Sequence, residues 1–153
     1  MPHFHYIKLR NYVRYKDAYL DLDYKGITVI RGKNKKAGLE ASNGSGKSLM
    51  VGALPNLLFD ATPLSAARNS GKKDTFRTGT SIETKLNDII IQKKQNRSKL
   101  TYTFKQQGKN ARVRTIVLAK EKLGKLFPLT EEEFYSFVYI DARRPLLFSL
   151  GTA

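Results

Sequence analysis

The sequence predicts a single domain of mixed α/β (α+β) class, with a mixed β-sheet and additional antiparallel strands, on three observations. Residues 3–10 alternate apolar and polar side chains, which is the pattern of a strand with one buried face. Residues 27–30 are consecutive β-formers, typical of a strand that is buried on both faces. Residues 47–59 repeat apolar side chains at helical spacing. A length of 153 residues, taken as one unit over 1–153, fits one domain with one core.

Further strands follow from the same patterns. Alternation over 18–23 predicts a strand that pairs with the first one as a hairpin. Strand texture then returns over 81–118, and the residues QGKN at 107–110 form a plausible hairpin turn. The segment 60–80 is rich in Ser, Thr, Gly and Lys and is expected to be a long surface loop.

Breaks and caps mark the predicted helices. Pro55 is expected to kink or end the helix over 47–59, and Gly124 to interrupt a short helix over 119–127. Thr130 and Glu133 have the spacing of a capping box at the start of a last helix. The chain stops after LLFSLGTA without a helix stop signal, which is expected of a truncated piece.

The charge balance is the strongest compositional signal. Twenty-eight Lys and Arg against 13 Asp and Glu give a formal net charge of +15, which favours a polyanionic partner, with DNA first. The alternative is a solvated basic surface. The absence of cysteine excludes a disulfide framework and thiolate metal sites. No apolar run approaches membrane-spanning length and no secretory signal is present, so a cytoplasmic location, bacterial or in a phage-infected host cell, is expected.

The segment NGSGKS is typical of a phosphate-binding loop. It follows a predicted strand and opens a predicted helix, which is the context that such a loop requires. Its glycines let backbone N–H groups turn toward phosphate oxygens. Lys47 is expected to contact the β- and γ-phosphates, and Ser48 to supply a hydroxyl ligand to Mg²⁺. The alternative is a glycine-rich turn in a lysine-rich protein. The predicted nucleotide-binding loop residues are Asn43, Gly44, Ser45, Gly46, Lys47 and Ser48.

The loop motif G-x-x-x-x-G-K-[ST] is interrupted in this chain. Ala41 stands where the first glycine is required, but joining Gly32 and its two successors to residues 44–48 restores the motif as GKNGSGKS. Residues 35–43 are then an insertion, and Asn34 or Asn43 supplies the loop asparagine. The insertion is either a tolerated surface loop or a cover for the pocket whose lysines reach phosphate or DNA.

The stretch FHYIKLRNYVRYKDAYLDLDYKGITVIRGKN…NGSGKS resembles the N-terminal head segment of SMC-like ATPases. It is most similar to SbcC-type DNA-repair ATPases, especially the large subunits of phage recombination endonucleases. LTEEEFYSFVYIDARRPLLFSLGTA resembles the segment before the coiled coil of that family. The likeness covers nearly the whole chain, although residues 60–115 contribute little beyond their strand pattern.

The resemblance implies a P-loop NTPase fold, as the lobe of an ABC-type head. It implies ATP and Mg²⁺ as ligands, an SbcD-type nuclease subunit as partner, and completion by a C-terminal head segment or a second head. It also places Arg10 and Asn11, in the element LRNY, near the nucleotide.

The sequence departs from that family in parts needed for hydrolysis. The family has a glutamine that contacts Mg²⁺, and this glutamine is missing from the corresponding stretch VYIDARRP. Asp141 is the nearest residue there with a hard oxygen donor for Mg²⁺. The alternative is that Asp141 is a solvated turn residue or a partner of Arg143 and Arg144. No Walker B strand ending in Asp-Glu and no L-S-G-G signature is found. ATP binding with little or no hydrolysis is therefore expected of this chain alone. The alternative is a standalone, catalytically silent relative that binds DNA, or that binds and inhibits a DNA-processing complex.

The expected DNA contacts are basic residues on predicted strands, within a region spanning 81–118, and basic residues of the loop RNSGKKDTFR at 68–77. They are expected to contact phosphates without regard to sequence. The alternative is ordinary solvated strand faces. Tyr102 and Phe104 lie among them and are expected to be core residues rather than stacking platforms for bases. His3 and His5 alternate on the first strand, but no cysteine or paired acid joins them, so no metal site is expected there. The predicted DNA-binding residues are Arg68, Lys72, Lys73, Arg77, Lys93, Lys94, Arg97, Lys99, Lys105, Lys109, Arg112 and Arg114.

Overall fold

The computed structural model contains one six-stranded antiparallel sheet with strand order β2-β1-β3-β4-β5-β6. The structure describes residues 2–13, 15–24, 27, 29–31, 46–60, 78–97, 99–113 and 115–138, except the side chains of 136 and 137. The strands are β1 (Phe4–Tyr12), β2 (Tyr15–Asp21), β3 (Ser81–Leu86), β4 (Ile89–Asn96), β5 (Lys99–Gln106) and β6 (Lys109–Val113).

In the residues that the structure describes, the helices are α1 (Lys47–Val51), α2 (Ala53–Phe59), α3 (Ile116–Leu126) and the single turn α4 (Glu131–Glu133), which continues as a π-helix over Phe134–Val138. The predicted capping box is confirmed, because Thr130 Oγ1 accepts from Glu133 N and the Glu133 carboxylate accepts from Thr130 N. No helix in the described part of the chain is long and apolar enough to cross a membrane.

Pairing between consecutive strands accounts for most of the sheet's register. The predicted hairpin between β5 and β6 is confirmed, with its turn at Gln107 and Gly108, whose φ values of 45° and 76° match the paired left-handed residues of a type I′ turn. The hairpin of β1 and β2 is also confirmed and pairs Leu9 with Ala18. β1 then pairs with β3, placing Leu9 opposite Ile82.

One face of the sheet is the core. Ile7, Thr84, Ile91 and Phe104 lie side by side across four strands and are all buried. The helices α2 and α3 cover this face with apolar side chains, and Phe127 packs between Phe4, Phe59 and Phe134. The prediction that Tyr102 and Phe104 are core residues is confirmed, since they are 1% and 3% exposed.

The predicted buried strand over 27–30 is wrong for the residues that the structure describes there. Residues 27 and 29–31 are not in a strand, and Ile27 and Val29 are 91% and 70% exposed. β-branched residues favour a strand, but a strand also needs a neighbouring strand to pair with. In the described chain the edge strands of the sheet are β2 and β6, and residues 27 and 29–31 pair with neither. The α+β class is confirmed, whereas the expected mixed sheet is wholly antiparallel in the described residues.

The helix predicted over 47–59 is interrupted at Gly52, three residues before Pro55. Gly52 separates α1 from α2 and donates its N–H to Ser48 O at 2.9 Å. Pro55 has no N–H to donate to the carbonyl four residues earlier, at Val51, which is the last residue of α1. The break therefore falls where a proline disrupts a helix, in agreement with the prediction that Pro55 kinks or ends it.

Two further boundaries differ from prediction. β6 ends at Val113 and α3 begins at Ile116, so the basic strand region does not extend to 118. Gly124 does not interrupt α3. The β-branched residues at 116 and 117 favour a strand, but burial of Ala119 and Leu123 at helical spacing against the sheet outweighs that weak preference.

Candidate functional site

The end of the predicted phosphate loop has a defined geometry. Gly46 has φ 96°, a left-handed conformation that side chains rarely adopt, and stands immediately before α1. Its carbonyl oxygen accepts from Leu49 N at 2.9 Å and from Met50 N at 3.2 Å. Lys47 and Ser48 form the first turn of α1, with Lys47 half-buried and Ser48 exposed. The predicted loop-to-helix transition is thus present at Gly46.

Tyr15 holds this glycine in place. Its hydroxyl donates to Gly46 O at 3.0 Å, and a Cβ built on Gly46 would lie only 3.0 Å from that same hydroxyl oxygen. Burial raises the pKa of Tyr15, so the hydroxyl keeps its proton and remains a donor. Sequence analysis missed Tyr15, because no local pattern links an aromatic residue at the start of β2 to a glycine 31 positions later.

Arg10 and Asn11 contact protein groups near the end of β1. Arg10 is exposed, and its Nε lies 3.6 Å from Asp17 Oδ1 on β2. Asn11 has φ 48°, its Nδ2 donates to Gly79 O at 3.4 Å, and its carbonyl accepts from Thr80 Oγ1 at 2.8 Å. Asn11 therefore joins β1 to the residues that lead into β3. A role near the nucleotide stays a prediction for Arg10 and Asn11.

Several predicted site residues lie outside the described residues. They are the loop residues Gly32, Asn34, Asn43, Gly44 and Ser45, the insertion 35–43, the Mg²⁺ candidate Asp141, and the DNA candidates Arg68, Lys72, Lys73, Arg77 and Arg114.

The face of the sheet opposite the core, called the outer face below, carries a basic surface. Lys8, Arg10, Lys85, Lys94, Lys105 and Arg112 all alternate with core-facing neighbours and therefore point to this side. Five are exposed, and Lys85 is half-buried. Its acids are Asp17, Asp21 and Glu83, so cations outnumber anions on the strands of this face. Lys8 and Lys85 were not predicted as contacts.

The centre of the outer face is organised by Glu83. Tyr6 Oη donates to Glu83 Oε1 at 3.0 Å, and Gln92 Nε2 donates to Glu83 Oε2 at 2.9 Å. Burial, followed by the neighbouring Glu83 carboxylate, raises the pKa of Tyr6 to about 12. The ring of Tyr6 stacks on that of the exposed Tyr19 with centroids 5.5 Å apart. An aromatic pair thus lies beside the basic residues, on two strands, β1 and β2, that were not predicted to contact DNA.

Lys93 does not belong to the basic surface, and its prediction as a DNA contact was wrong. It is 1% exposed on the core face, where its ammonium donates to Asn56 O at 2.8 Å, to Asn56 Oδ1 at 3.1 Å, and to the Asp60 carboxylate. Burial lowers the pKa of Lys93, while the Asp60 carboxylate opposes this shift. Neighbouring basic residues on one strand therefore have different surroundings, because alternation sends Lys93 inward and Lys94 outward.

The other predicted DNA contacts lie at the margins of the sheet. Arg97 is exposed in the turn after β4, and Lys99 begins β5 on the side of the outer face. Lys109 is exposed at the start of β6, but it alternates with Ala111, opposite the buried Phe104, and so points to the core side. The structure thus gathers Lys94, Lys99, Lys105 and Arg112 on one face.

Comparisons with known proteins do not identify a family for this chain. No protein-family model matches the chain, and no curated protein matches it significantly. The features that indicate function are therefore the loop motif, the geometry at Gly46 and the charge of the outer face.

Proposed function

We propose that this chain is the ATP-binding N-terminal lobe of an SbcC-type ATPase that acts in DNA recombination and repair with a nuclease partner in the cytoplasm. The observation that carries the proposal is the Gly46–Lys47–Ser48 sequence at a left-handed loop-to-helix transition clamped by Tyr15. A glycine is needed there for two separate reasons, the positive φ and the contact with the Tyr15 hydroxyl. Such a constraint is typical of a loop that brings its backbone close to a ligand.

The residues fit ATP with Mg²⁺. Lys47 provides the positive charge for the β- and γ-phosphates, and the exposed hydroxyl of Ser48 is a hard oxygen donor of the kind that Mg²⁺ prefers. The remaining loop residues, through Gly32 and Asn34, complete the proposed cradle of backbone N–H groups. When bound, Mg²⁺ neutralises phosphate charge.

This chain alone is expected to bind ATP with little or no hydrolysis. Phosphoryl transfer needs a group that positions the attacking water, and the sequence has neither an Asp-Glu strand end nor a signature segment. The large exposed fractions of Ile27 and Val29 support a missing neighbour beside them, because large apolar side chains are costly to leave in water. We assign that neighbour to a C-terminal head segment or a second head.

ATP binding tests the proposal directly. The full chain is titrated with ATP and Mg²⁺ in a calorimeter, beside Lys47→Ala and the matched control Lys105→Ala, which removes the same charge from the outer face. We expect Lys47→Ala to weaken binding at least about a hundredfold, as loss of a charge-assisted contact worth roughly 3 kcal/mol implies. Lys105→Ala should bind as the wild type does. Equal affinity in the two variants contradicts the phosphate loop.

The outer face is the proposed DNA surface. Three contacts of Lys94, Lys105 and Arg112 with phosphates would each contribute about 0.9 to the salt dependence of log K. The triple alanine variant at these positions should therefore lower the slope by about three. A control with the same charge change, Lys109→Ala with Lys120→Ala and Lys125→Ala, alters residues outside this face. A slope that falls equally in both triples contradicts a defined DNA surface.

The second candidate function is a standalone, catalytically silent relative that binds DNA, or that binds and inhibits a DNA-processing complex. The observation that favours it is that the basic outer face and the phosphate loop use different residues. If this candidate is right, Lys47→Ala leaves DNA affinity unchanged with or without ATP. If the chain is a head lobe, adding ATP changes DNA affinity in the wild type and not in Lys47→Ala.

A further inference from the structure

A cluster of three metal-ligating side chains lies at the start of the sheet, away from the phosphate loop. It consists of His3, His5 and Asp23, whose donor atoms all lie within 4.8 Å of one another. These are the chain's two histidines, and the chain has no cysteine. Sequence analysis saw both histidines but found no acid to join them. The missing signal was the hairpin register, because extending the pairing of Tyr6 with Asp21 brings Asp23 opposite the histidine pair.

The three donor groups already converge. His3 Nε2 lies 2.7 Å from Asp23 Oδ1, and His5 Nδ1 lies 2.8 Å from the same oxygen and 2.9 Å from Oδ2. The two imidazole rings meet edge to face with centroids 4.7 Å apart. Both rings therefore present a nitrogen to one carboxylate, which acts as a bridge between them.

The backbone around the cluster is held by hydrogen bonds that leave those donors available. His3 N donates to Asn87 Oδ1 and His3 O accepts from Asn87 N, at 2.9 and 2.8 Å. His5 O accepts from Leu22 N at 2.8 Å, and Asp23 N donates to Asp21 Oδ1 at 2.9 Å. The pairing of β1 with β3 shifts register between Phe4 and Tyr6, and such bulges redirect side chains. Each ligand residue thus has a fixed main chain and a side chain that can adjust.

Two imidazole nitrogens and one carboxylate oxygen suit a divalent transition-metal ion. Zn²⁺ takes such ligands at about 2.0–2.2 Å in tetrahedral geometry, which separates neighbouring donors by about 3.3 Å. The nitrogen-to-oxygen distances here are 2.7–2.9 Å, so each imidazole must move away from the Asp23 carboxylate by about half an ångström, and all three donor atoms already lie within 4.8 Å of one another. His3 and Asp23 are free to do so, since their side chains are 55% and 52% exposed.

We propose that His3 Nε2, His5 Nδ1 and the Asp23 carboxylate form a Zn²⁺ site whose fourth position is filled by water. Zn²⁺ replaces the protons shared between the imidazoles and the carboxylate. The ion joins the beginning of β1 to the residues after β2, so its binding stabilises the β1–β2 hairpin. This Zn²⁺ site uses none of the residues of the proposed ATP and DNA sites.

Calorimetry with ZnCl₂ tests the site. The full chain is used without a polyhistidine tag and in the absence of nucleotide. We expect one Zn²⁺ per chain, and at least about tenfold weaker binding in His3→Ala, His5→Ala and Asp23→Asn. The matched control Asp17→Asn removes another exposed carboxylate from the same hairpin and should bind as the wild type does. Equal affinity in Asp23→Asn and Asp17→Asn, or no saturable binding, overturns the proposal.

A second measurement needs no variant, so it does not depend on how the variants fold. In ¹⁵N-labelled wild-type protein, Zn²⁺ should shift the ring nitrogen resonances of both histidines together, saturating at one equivalent. Ring nitrogens that remain unchanged at saturating Zn²⁺ show an ion-pair cluster only and overturn the proposal.

Discussion

The two faces of the sheet use neighbouring residues of the same kind for opposite purposes. On β4, Ile91 is fully buried while Ile90 is half-buried on the outer face, and Lys93 is buried while Lys94 is exposed. The core face accepts a lysine only because Asn56 and Asp60 are placed to receive its ammonium. On the outer face a lysine can keep its ammonium in water and needs no such partners. Residue type alone therefore says little about role on this strand, and the face decides it.

The largest expected difference between the faces is in packing. Ile91→Ala should lower the free energy of unfolding by about 2–5 kcal/mol, because it leaves a cavity in the core. Ile90→Ala removes the same atoms from the outer face and should cost less than about 1 kcal/mol. Urea denaturation of the two variants measures both. Comparable losses would mean that the outer face is also covered.

The next difference concerns the two lysines. Lys93→Met removes two hydrogen bonds to Asn56 and the ion pair with Asp60, and should cost about 1–3 kcal/mol. Lys94→Met should change stability by no more than about 0.5 kcal/mol. If Lys93→Met is as stable as Lys94→Met, the buried contacts contribute nothing to stability.

The pH dependence of the free energy of unfolding also distinguishes the wild type from Lys93→Met. Burial lowers the pKa of Lys93 in the folded protein below its usual 10.5, so the unfolded chain binds more protons between those two values. Stability of the wild type relative to Lys93→Met should therefore rise as pH increases through the folded pKa toward 10.5. Urea denaturation at pH 7 and pH 10 checks this. Parallel curves for the two proteins would contradict the shift.

The smallest effect is expected on α3, which lies against the core face but exposes part of its surface. Gly124 is exposed within the helix, and a Cβ added there meets no atom within 4 Å. Gly124→Ala should raise the free energy of unfolding by about 0.5–1 kcal/mol, because alanine has less freedom to lose. Thermal unfolding measures the gain. A loss of stability would show that the glycine is needed for close approach.

Local patterns predicted much of the fold, because much of it is local. Alternation over 3–10 and 18–23 and strand-forming residues from 81 onward located strands of the sheet, Gln107 and Gly108 fit the turn, and Thr130 with Glu133 marked a real cap. The predictions were wrong where the structure of a residue depends on a partner that is distant in sequence. Residues 27, 29 and 30 were predicted to lie in a strand, but the described chain has no strand beside them. Lys93 is bonded to Asn56, which lies on another element.

The candidate site divides in the same way. The G-K-S motif was readable from the sequence, and Gly46 has the left-handed conformation that a loop glycine allows. Tyr15 and Asp23 were not readable, because each meets its partner only after strands pair. Sequence gives the chemistry of a contiguous motif, whereas clusters assembled from separate strands require the register.

The pairing of β1 with β3 has a kinetic consequence. Thr84 Oγ1 donates to Tyr6 O across 78 positions of sequence, whereas β3 to β6 pair through short turns. The four-strand meander is therefore expected to form first, and the β1–β2 hairpin to dock later, since distant pairing is slow. Closure entropy grows only with the logarithm of loop length, so removing residues 35–43 changes it by about 0.1 kcal/mol. The connection before β3 can therefore change length outside α1 and α2 between generations at little entropic cost, whereas α2 supplies core residues and must be kept.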